Sequence, residues 1–212
     1  MHHPSESDTM PQALREVSFL ELLGDDLYTT FLAVYTGRRC VVKFFTDKSN
    51  NNNETEVMEH LRAHSTVPGL YPEAFFSRHQ ELDPFCVFCE DGTNHVLDSV
   101  YRIICYEYIE GTTLQSELDI AQIHADITEH LQDIHSHLQD IHSHDFIFVD
   151  LRADNIVRTV TGRYRLIDYG RTFSVTDEDF PSMEYMLGEI ECGNPLPTQD
   201  DDFAQLRRLL SR

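Results

Sequence analysis

The chain has 212 residues, of which 37 are Asp or Glu and 16 are Lys or Arg, and its formal charge at pH 7 is −21. Such a charge disfavours binding to nucleic acid or to an anionic membrane, and no apolar run is long enough to cross a bilayer. The 41% hydrophobic content predicts a globular protein with one core or two small lobes. The five cysteines are an odd number, and the first residues lack the features of a secretory signal. We therefore expect reduced thiols, a cytoplasmic or nuclear location, and partners that are neither nucleic acid nor membrane.

The first part of the chain is predicted to be a disordered tail, residues 1–14, followed by an antiparallel sheet. Apolar runs between residues 17 and 46 predict three strands, with a turn at Gly37. Lys43 lies inside the third run, VVKFF. An unpaired buried charge is costly, so this lysine requires an anionic partner unless it points to water from a sheet edge.

A short helix is predicted over residues 54–64, because apolar residues recur there at helical spacing. Its acids are the candidate partners for the lysine: Glu54, Glu56 and Glu59. Residues 65–98 are rich in proline and turn residues and are predicted to be mostly irregular. A strong strand follows over residues 100–109 and is broken at Gly111, where a linker between two lobes would lie.

Two cysteines within the irregular stretch, Cys86 and Cys89, form a single CxxC next to a predicted strand at 85–88. A structural zinc site would need two more ligands, for which His79 or His95 are candidates. No second CxxC is present. The alternative is that both are ordinary strand or loop cysteines.

A long helix is predicted over residues 119–144, with a narrow apolar seam. The heptad LQDIHSH occurs there twice in tandem, at 131–137 and 138–144. Seven residues are almost two helical turns, so the duplication keeps the same face inward, and we interpret it as a neutral insertion. Its histidines recur every seven residues, about 10.5 Å apart, which is too far for one metal ion. A second amphipathic helix is predicted at the C-terminal end, DDDFAQLRRLLSR.

Three polar residues between these two helices are the candidates for metal binding and proton transfer. Asp150 is followed five residues later by Asn155, and thirteen residues after that comes Asp168, in Asp-Tyr-Gly. Apolar runs on either side predict short strands joined by a turn at Gly162. Asn and Asp oxygens suit Mg²⁺, and a carboxylate beside a hydroxyl can orient it and accept its proton. Phosphoryl transfer needs these two elements; the alternative is a polar turn in which the side chains cap the backbone.

The order and spacing of these features resemble the protein-kinase-like fold over about residues 17–173. The resemblance implies an α+β, two-lobed architecture, with an antiparallel-sheet N-lobe and one helix in residues 15–109 and a shortened helical C-lobe in 110–212. Within that fold the chain resembles small atypical kinases, or the related aminoglycoside and choline phosphotransferases, more than ordinary protein kinases. It looks most like fungal kinase-like proteins of unassigned substrate.

The resemblance implies a role for each matching residue. Lys43 would hold the α and β phosphates of ATP, with Glu54 as its helix partner and Glu56 as second choice. Tyr106 would be the gatekeeper. The nucleotide contacts would be completed by the hinge from Glu107 to Ile109 and by the phosphate-covering loop at Gly24. The catalytic and metal-binding roles would fall to Asp150 as catalytic aspartate, Arg152 on the transferred phosphate, and Asn155 and Asp168 on Mg²⁺.

The chain also departs from the kinase pattern. Gly24 is the one glycine in the phosphate-covering segment, where two aspartates follow it, and Phe148-Val149 replaces the usual His-Arg before the catalytic aspartate. No APE motif follows the Asp-Tyr-Gly. We predict an ATP- and Mg²⁺-dependent phosphotransferase acting on a hydroxyl of a protein or small molecule. The alternatives are a pseudokinase that serves as a binding or scaffolding module, and a truncated gene product without its substrate lobe.

Overall fold

A computed structural model of the protein describes residues 14–25, 28–46, 54–118, 127–176 and 197–210. The chain forms two compact units, one from residues 1–50 and 73–108 and the other from 51–72 and 109–212. The lobe boundaries predicted from the sequence, 15–109 and 110–212, stay a prediction. The tail predicted over 1–14 lies outside the described residues except for Leu14, which is buried.

The first unit is a five-stranded antiparallel sheet with a small separate hairpin. Its strands are β1 (Val17–Asp25), β2 (Thr29–Tyr35), β3 (Arg38–Phe45), β4 (Ala74–Leu82), β5 (Phe85–Phe88), β6 (Asn94–Leu97) and β7 (Val100–Glu107). The order in the sheet is β1-β2-β3-β7-β4, and β5 pairs with β6. The three strands predicted between residues 17 and 46 are confirmed, and the sheet places β3 at its centre.

The turn between β2 and β3 explains why these strands pair in one register. Tyr35 pairs with Arg38, and the two residues between them, Thr36 and Gly37, have φ of 49° and 81°. Positive φ at both central positions is the geometry of a two-residue hairpin turn that matches strand twist, and glycine adopts it without steric cost.

The core of the first unit is aromatic. Phe31 and Phe44 are fully buried and meet edge to face, with ring centroids 5.8 Å apart. Phe44 meets Phe85 of β5 at the same distance, and Phe19 lies 5.3 Å from Phe31. These large buried rings pack the small hairpin against the face of the sheet and supply the apolar burial that stabilises it.

The prediction of mostly irregular chain over residues 65–98 is wrong for β4 and β6. β4 is an edge strand whose residues Ser77–Glu81 are exposed and polar, so it lacks the apolar alternation by which strands are recognised. β7 is confirmed but ends at Glu107, two residues before the predicted end.

The second unit contains four helices and five short strands in its described part. They are α1 (Glu54–His64), β8 (Gly111–Thr113), α2 (Leu114–Leu118), α3 (Ile127–Ser143), β9 (Phe146–Ile147), β10 (Ile156–Thr159), β11 (Tyr164–Leu166), β12 (Phe173–Ser174) and α4 (Gln199–Leu210). β10 pairs with both β8 and β11, and β9 pairs with β12. The predicted helix over 54–64 and the hairpin turning at Gly162, where φ is 81°, are confirmed.

The heptad repeat lies on α3, and its apolar seam faces the core as predicted. Ile134, Leu138 and Ile141 are all buried. The two copies nevertheless have different neighbours. Asp133 of the first copy contacts the β10–β11 hairpin, whereas Asp140 of the second accepts a hydrogen bond from the Tyr71 hydroxyl at 2.7 Å. The two identical heptads therefore make different contacts.

The two cysteines considered as zinc ligands lie in the described part of the chain. Cys86 and Cys89 are free thiols. No group of three or more His, Cys, Asp or Glu side chains in the described ranges is placed to hold a metal ion. Over the same ranges, none of the helices combines the length and the apolar character needed to span a bilayer.

Candidate functional site

The loop between β9 and β10 brings Asp150 and Asn155 together. The Asn155 side-chain Nδ2 donates to the backbone oxygen of Asp150 at 2.9 Å and to its Oδ2 at 3.2 Å. Asn155 is buried, and its own backbone oxygen accepts from Ile167 N–H at 2.9 Å. Because both Nδ2 hydrogens point at Asp150, the amide oxygen of Asn155 remains the atom available to a cation.

Asp168 follows β11 and adopts a backbone conformation that an ordinary residue avoids. Its φ is 62°, in the left-handed region where a non-glycine residue is uncommon. Its Oδ1 accepts from Gly170 N–H at 3.4 Å. Ile167 N–H, immediately before it, bonds to Asn155. The backbone therefore ties the two predicted metal ligands to each other across the β10–β11 hairpin.

Val149, immediately before Asp150, is strained in the same way, with φ of 69°. A β-branched residue in the left-handed region costs on the order of 1–3 kcal/mol and persists only when its surroundings hold it there. Here the holding group is Asp202 of α4. Its carboxylate accepts from Phe148 N–H and Val149 N–H, both at 2.8 Å.

Asp202 is a functional candidate that sequence reasoning missed. It is fully buried, and its Oδ2 also lies 2.8 Å from Nε2 of His142. Gln205, on the same helix, accepts from Leu151 N–H at 3.1 Å. α4 thus supports the backbone on both sides of Asp150. Nothing in the local sequence distinguishes Asp202 from the two acids before it, and its spacing from Asp150 carries no signal.

Glu54 lies at the start of α1 and contacts the Asp-Tyr-Gly segment. Its Oε1 accepts from Tyr169 N–H at 3.2 Å, and the residue is fully buried. Glu56 is half-buried and Glu59 is exposed. Of the three acids considered for pairing with Lys43, Glu54 is therefore the one in the interior of its unit. The pairing itself stays a prediction.

Tyr169 anchors the Asp-Tyr-Gly segment in the core of the second unit. Its ring meets Phe148 edge to face, with centroids 5.5 Å apart. Its hydroxyl lies 3.0 Å from Nε2 of His137 and 3.3 Å from the backbone oxygen of Leu166. Burial raises the pKa of Tyr169 above its ordinary value. The ring is therefore a neutral group held by packing and by two polar contacts, and it fixes the residue after Asp168.

Two arginines lie beside the carboxylate of Asp150. Arg152 Nε is 3.7 Å and Arg171 Nη1 is 3.8 Å from Oδ1 of Asp150. Their side chains are 61% and 43% exposed, whereas that of Asp150 is 17% exposed. The sequence analysis predicted Arg152 as a site residue. It did not predict Arg171, which directly follows the Asp-Tyr-Gly.

Lys43 lies in the interior of the first unit. It is 4% exposed, and β3 lies between β2 and β7, so the alternative that it points to water from a sheet edge is wrong. Its Nζ lies 5.6 Å from the ring centroid of Tyr28 and 5.7 Å from that of Tyr106. Both distances suit a cation–π contact, which partly compensates a desolvated charge.

The remaining predicted nucleotide contacts lie at the ends of strands. Gly24 is near the end of β1, paired with Thr30, and its φ is not in the left-handed region. The Glu107 N–H donates to the backbone oxygen of Glu73 at 2.8 Å, within the sheet unit. Ile109 opens the second stretch of the other unit.

The predicted site residues therefore form two groups, each with defined geometry in its own unit. The second unit contains Glu54, the predicted partner of Lys43, and the predicted catalytic and metal-binding residues Asp150, Arg152, Asn155 and Asp168. The first unit holds Lys43, Gly24 and Glu107.

Comparison with known proteins bears on the fold. The sequence matches no protein-family model and no curated protein. Among solved structures it matches the kinase PK-1 of Cydia pomonella granulovirus, with a TM-score of 0.53 and 18% identity, over 78% of this chain and 55% of that one. The chain has a kinase-like fold. The α+β class predicted from the sequence is confirmed, and the chain spans about half the length of the viral kinase.

Within the kinase-like fold, the departure at Phe148-Val149 has a structural explanation. The position before Asp150 needs a backbone that turns through the left-handed region, and Asp202 supplies the acceptors that hold it. Phe148 meanwhile packs its ring on Tyr169. In this chain the backbone before Asp150 is therefore held by Asp202 and by the packing of Phe148.

Proposed function

We propose that the protein is a phosphotransferase, of the small atypical kinase or aminoglycoside-phosphotransferase type, that moves the γ-phosphate of ATP to a hydroxyl group. The observation that carries the proposal is the hydrogen-bonded pair of Asp150 and Asn155. Nδ2 of Asn155 donates a hydrogen bond to Oδ2 of Asp150 at 3.2 Å. Oδ1 is therefore the carboxylate oxygen that would contact the hydroxyl group of the substrate.

Asn155 and Asp168 fit Mg²⁺ by the chemistry of their donor atoms. Both offer oxygen, one from an amide and one from a carboxylate, and Mg²⁺ in phosphoryl-transfer sites is held by one or two such groups and keeps several waters. When bound, the ion would neutralise charge on the β and γ phosphates of ATP.

The protein's own residues would then act as follows. Asp150 Oδ1 accepts a hydrogen bond from the acceptor hydroxyl and takes its proton as the oxygen attacks phosphorus. A bond forms between that oxygen and the γ-phosphorus, the bond to the β–γ bridging oxygen breaks, and ADP leaves. Arg152 would contact the transferred group.

The nucleotide contacts of the proposal come from the other predicted residues. Lys43 would hold the α and β phosphates, supported by Glu54. The backbone of Glu107 and Ile109 would bind adenine, and because the Glu107 N–H already donates to Glu73, we assign the hinge donor to Ile109. Gly24 would lie near the phosphates. We also propose a cytoplasmic or nuclear location, since the described cysteines, Cys40, Cys86, Cys89 and Cys105, are free thiols.

One observation favours the second candidate function, a pseudokinase that binds partners without catalysis. The segment that would cover the phosphates contains one glycine and continues with Asp25, whose Oδ1 accepts from the Thr29 hydroxyl at 2.6 Å. A carboxylate beside the nucleotide phosphates would weaken ATP binding.

Thermal shift with ATP, with and without Mg²⁺, tests the proposal, together with transfer of labelled phosphate to a broad acceptor panel. We expect Mg²⁺-dependent stabilisation by ATP and labelling of at least one hydroxyl acceptor. Stabilisation without labelling of any acceptor would favour the pseudokinase. No stabilisation under either condition would contradict the phosphotransferase and would favour a pseudokinase that does not depend on ATP.

A further inference from the structure

The surroundings of Asp150 contain information about the acceptor. Of its two carboxylate oxygens, Oδ2 is bonded to Asn155, whereas Oδ1 lies near Arg152 at 3.7 Å and near Arg171 at 3.8 Å. These distances exceed the 2.7–3.2 Å typical of a hydrogen bond from nitrogen to oxygen. The guanidinium groups therefore lie beside Oδ1 without donating to it in hydrogen-bond geometry.

Both guanidinium groups also reach the surface. The side chains of Arg152 and Arg171 are 61% and 43% exposed. A guanidinium carries five N–H donors in a planar fork that matches carboxylate and phosphate groups. A molecule that presents a hydroxyl to Oδ1 of Asp150 would therefore meet N–H donors next to it.

The net charge of the protein bears on which kind of acceptor these two arginines would bind. With a net charge of −21, the long-range field repels anions, so an anionic acceptor would be bound only where cations neutralise that field locally. Two of the 16 basic residues lie within 4 Å of one carboxylate oxygen. A neutral or cationic acceptor would gain nothing from cations placed there.

We propose that the acceptor of this phosphotransferase carries a phosphate or carboxylate group close to its reacting hydroxyl, and that Arg171 binds this anionic group. The inference rests on the proposed function. The resemblance to kinases assigns Arg152 to the transferred phosphate, and we assign recognition of the acceptor to Arg171, the second guanidinium within 4 Å of Oδ1. Since Nη1 of Arg171 lies 3.8 Å from Oδ1, a hydroxyl bonded to Oδ1 and an anion bonded to Nη1 would be at most about 9.5 Å apart.

Matched acceptor pairs test this proposal and separate its two sources of anionic charge. One pair is glycerol and glycerol 3-phosphate. The other is a serine peptide with glutamates beside the serine and the same peptide with glutamines. Labelled transfer from ATP and Mg²⁺ is measured for the parent chain and for Arg171→Gln, Arg171→Lys and the control Arg163→Gln. Arg163 is also an exposed arginine paired with an aspartate, Asp133, but it lies on the β10–β11 turn.

We expect the parent chain to prefer the anionic member of at least one pair. Arg171→Gln should lower kcat/KM for that member about ten- to hundredfold more than for the neutral member, the cost of losing a charge-assisted hydrogen bond. Arg171→Lys should restore part of the loss, because it keeps the charge without the fork. Arg163→Gln should behave like the parent.

Two transfer results would overturn the proposal. If Arg171→Gln lowers transfer to both members of a pair equally, Arg171 acts on the transferred phosphate and not on the acceptor. If the parent labels neutral members as well as anionic ones, the acceptor site does not select for charge.

Calorimetry with the same pairs, in the presence of ADP and Mg²⁺, decides the matter if no transfer is seen. Binding of an anionic member that is lost in Arg171→Gln would support the proposal, and equal or no binding of the two members would overturn it. Thermal shift with ATP and Mg²⁺ separately reports on the proposed function, so the failure of one idea is distinguishable from the failure of the other.

Discussion

The imidazole Nε2 of His137 lies 3.0 Å from the phenol oxygen of Tyr169, and this contact joins the heptad repeat of α3 to the Asp-Tyr-Gly segment. Leu166 N–H donates to Nδ1 of the same ring at 3.3 Å. Nδ1 is therefore an acceptor, Nε2 carries the proton of the neutral ring, and it donates to Tyr169. His137 thus links the strand before Asp168 to the residue after it.

The free energy of unfolding should depend on pH because this imidazole is buried. Burial, with a smaller contribution from nearby Arg165, lowers the pKa of His137 to about 3, whereas an unfolded histidine titrates near 6.5. Between these values the unfolded chain binds the extra proton. The stabilising contribution of neutral His137 is therefore complete above about pH 6.5 and is lost as pH falls toward 3, by up to about 1.4 kcal/mol per pH unit.

Urea unfolding of the parent and of His137→Gln at pH 7.5, 6 and 5 measures this effect. Glutamine does not titrate, so the variant should lose less stability between pH 6 and 5 than the parent, by about 1.2 kcal/mol. His135→Gln is the control, because His135 is exposed on the same helix. Parallel pH profiles for the parent and His137→Gln would show that this ring does not titrate as we infer.

The proposed metal role of Asp168 predicts that Asp168→Asn abolishes the Mg²⁺-dependent part of stabilisation by ATP, because the neutral amide removes the anionic ligand. Asp154→Asn removes the same charge from an exposed side chain and should leave the thermal shift unchanged. Full ATP and Mg²⁺ stabilisation of Asp168→Asn would refute the metal assignment.

Asp150 and Lys43 should fail in different ways if their roles are as proposed. Asp150→Asn should lower transfer about 10²–10⁴-fold, the usual contribution of a general base, while ATP binding is kept. Lys43→Ala should lower binding and transfer together, because it removes the cation that would hold the phosphates. Calorimetry with ATP and labelled transfer separate the two effects. An Asp150→Asn variant as active as the parent would argue against catalysis by this carboxylate.

Asp202 should be important for stability although it makes no contact in the proposed reaction. Asp202→Asn replaces one of the two acceptor oxygens with an NH₂ group, which cannot accept, so that Phe148 N–H and Val149 N–H are no longer both satisfied. We expect the free energy of unfolding to fall by about 2–4 kcal/mol, the cost of buried donors left unsatisfied. Asp200→Asn, an exposed acid in the same helical turn, should cost less than about 0.5 kcal/mol. Equal losses in the two variants would contradict the loop-holding role.

Deletion of one heptad should be tolerated, and the structure shows why. Removing either copy of LQDIHSH yields the same sequence. The preceding heptad, HADITEH at 124–130, then moves forward by seven residues. Ile127 would take the place of buried Ile134, and His130 that of His137. We expect a cooperative thermal transition and retained ATP-dependent shift, whereas deletion of five residues should rotate the seam off the core. Equal damage from both deletions would contradict a neutral insertion.

The elements that local pattern specifies could be predicted from the sequence alone. Apolar alternation and the turn at Gly37 predicted the strands before residue 46, and helical spacing predicted α1 from 54 to 64. The spacing of Asp150, Asn155 and Asp168 predicted a loop and hairpin in which these residues lie close together. In each case the stabilising contacts are made within a short stretch of chain, so the residues that carry the signal are also the residues that make the structure.

Tertiary structure alone decided which polar residues support that loop. Asp202 resembles its acidic neighbours in sequence, and it becomes important because folding brings it to Phe148 N–H, 54 residues away in the chain. His137 belongs to a heptad repeated without change, yet it is fully buried, whereas its counterpart His144 is half-buried. The burial and hydrogen bonds of these residues depend on distant segments, and identical or unremarkable local sequence contains no information about which segments will pack against it.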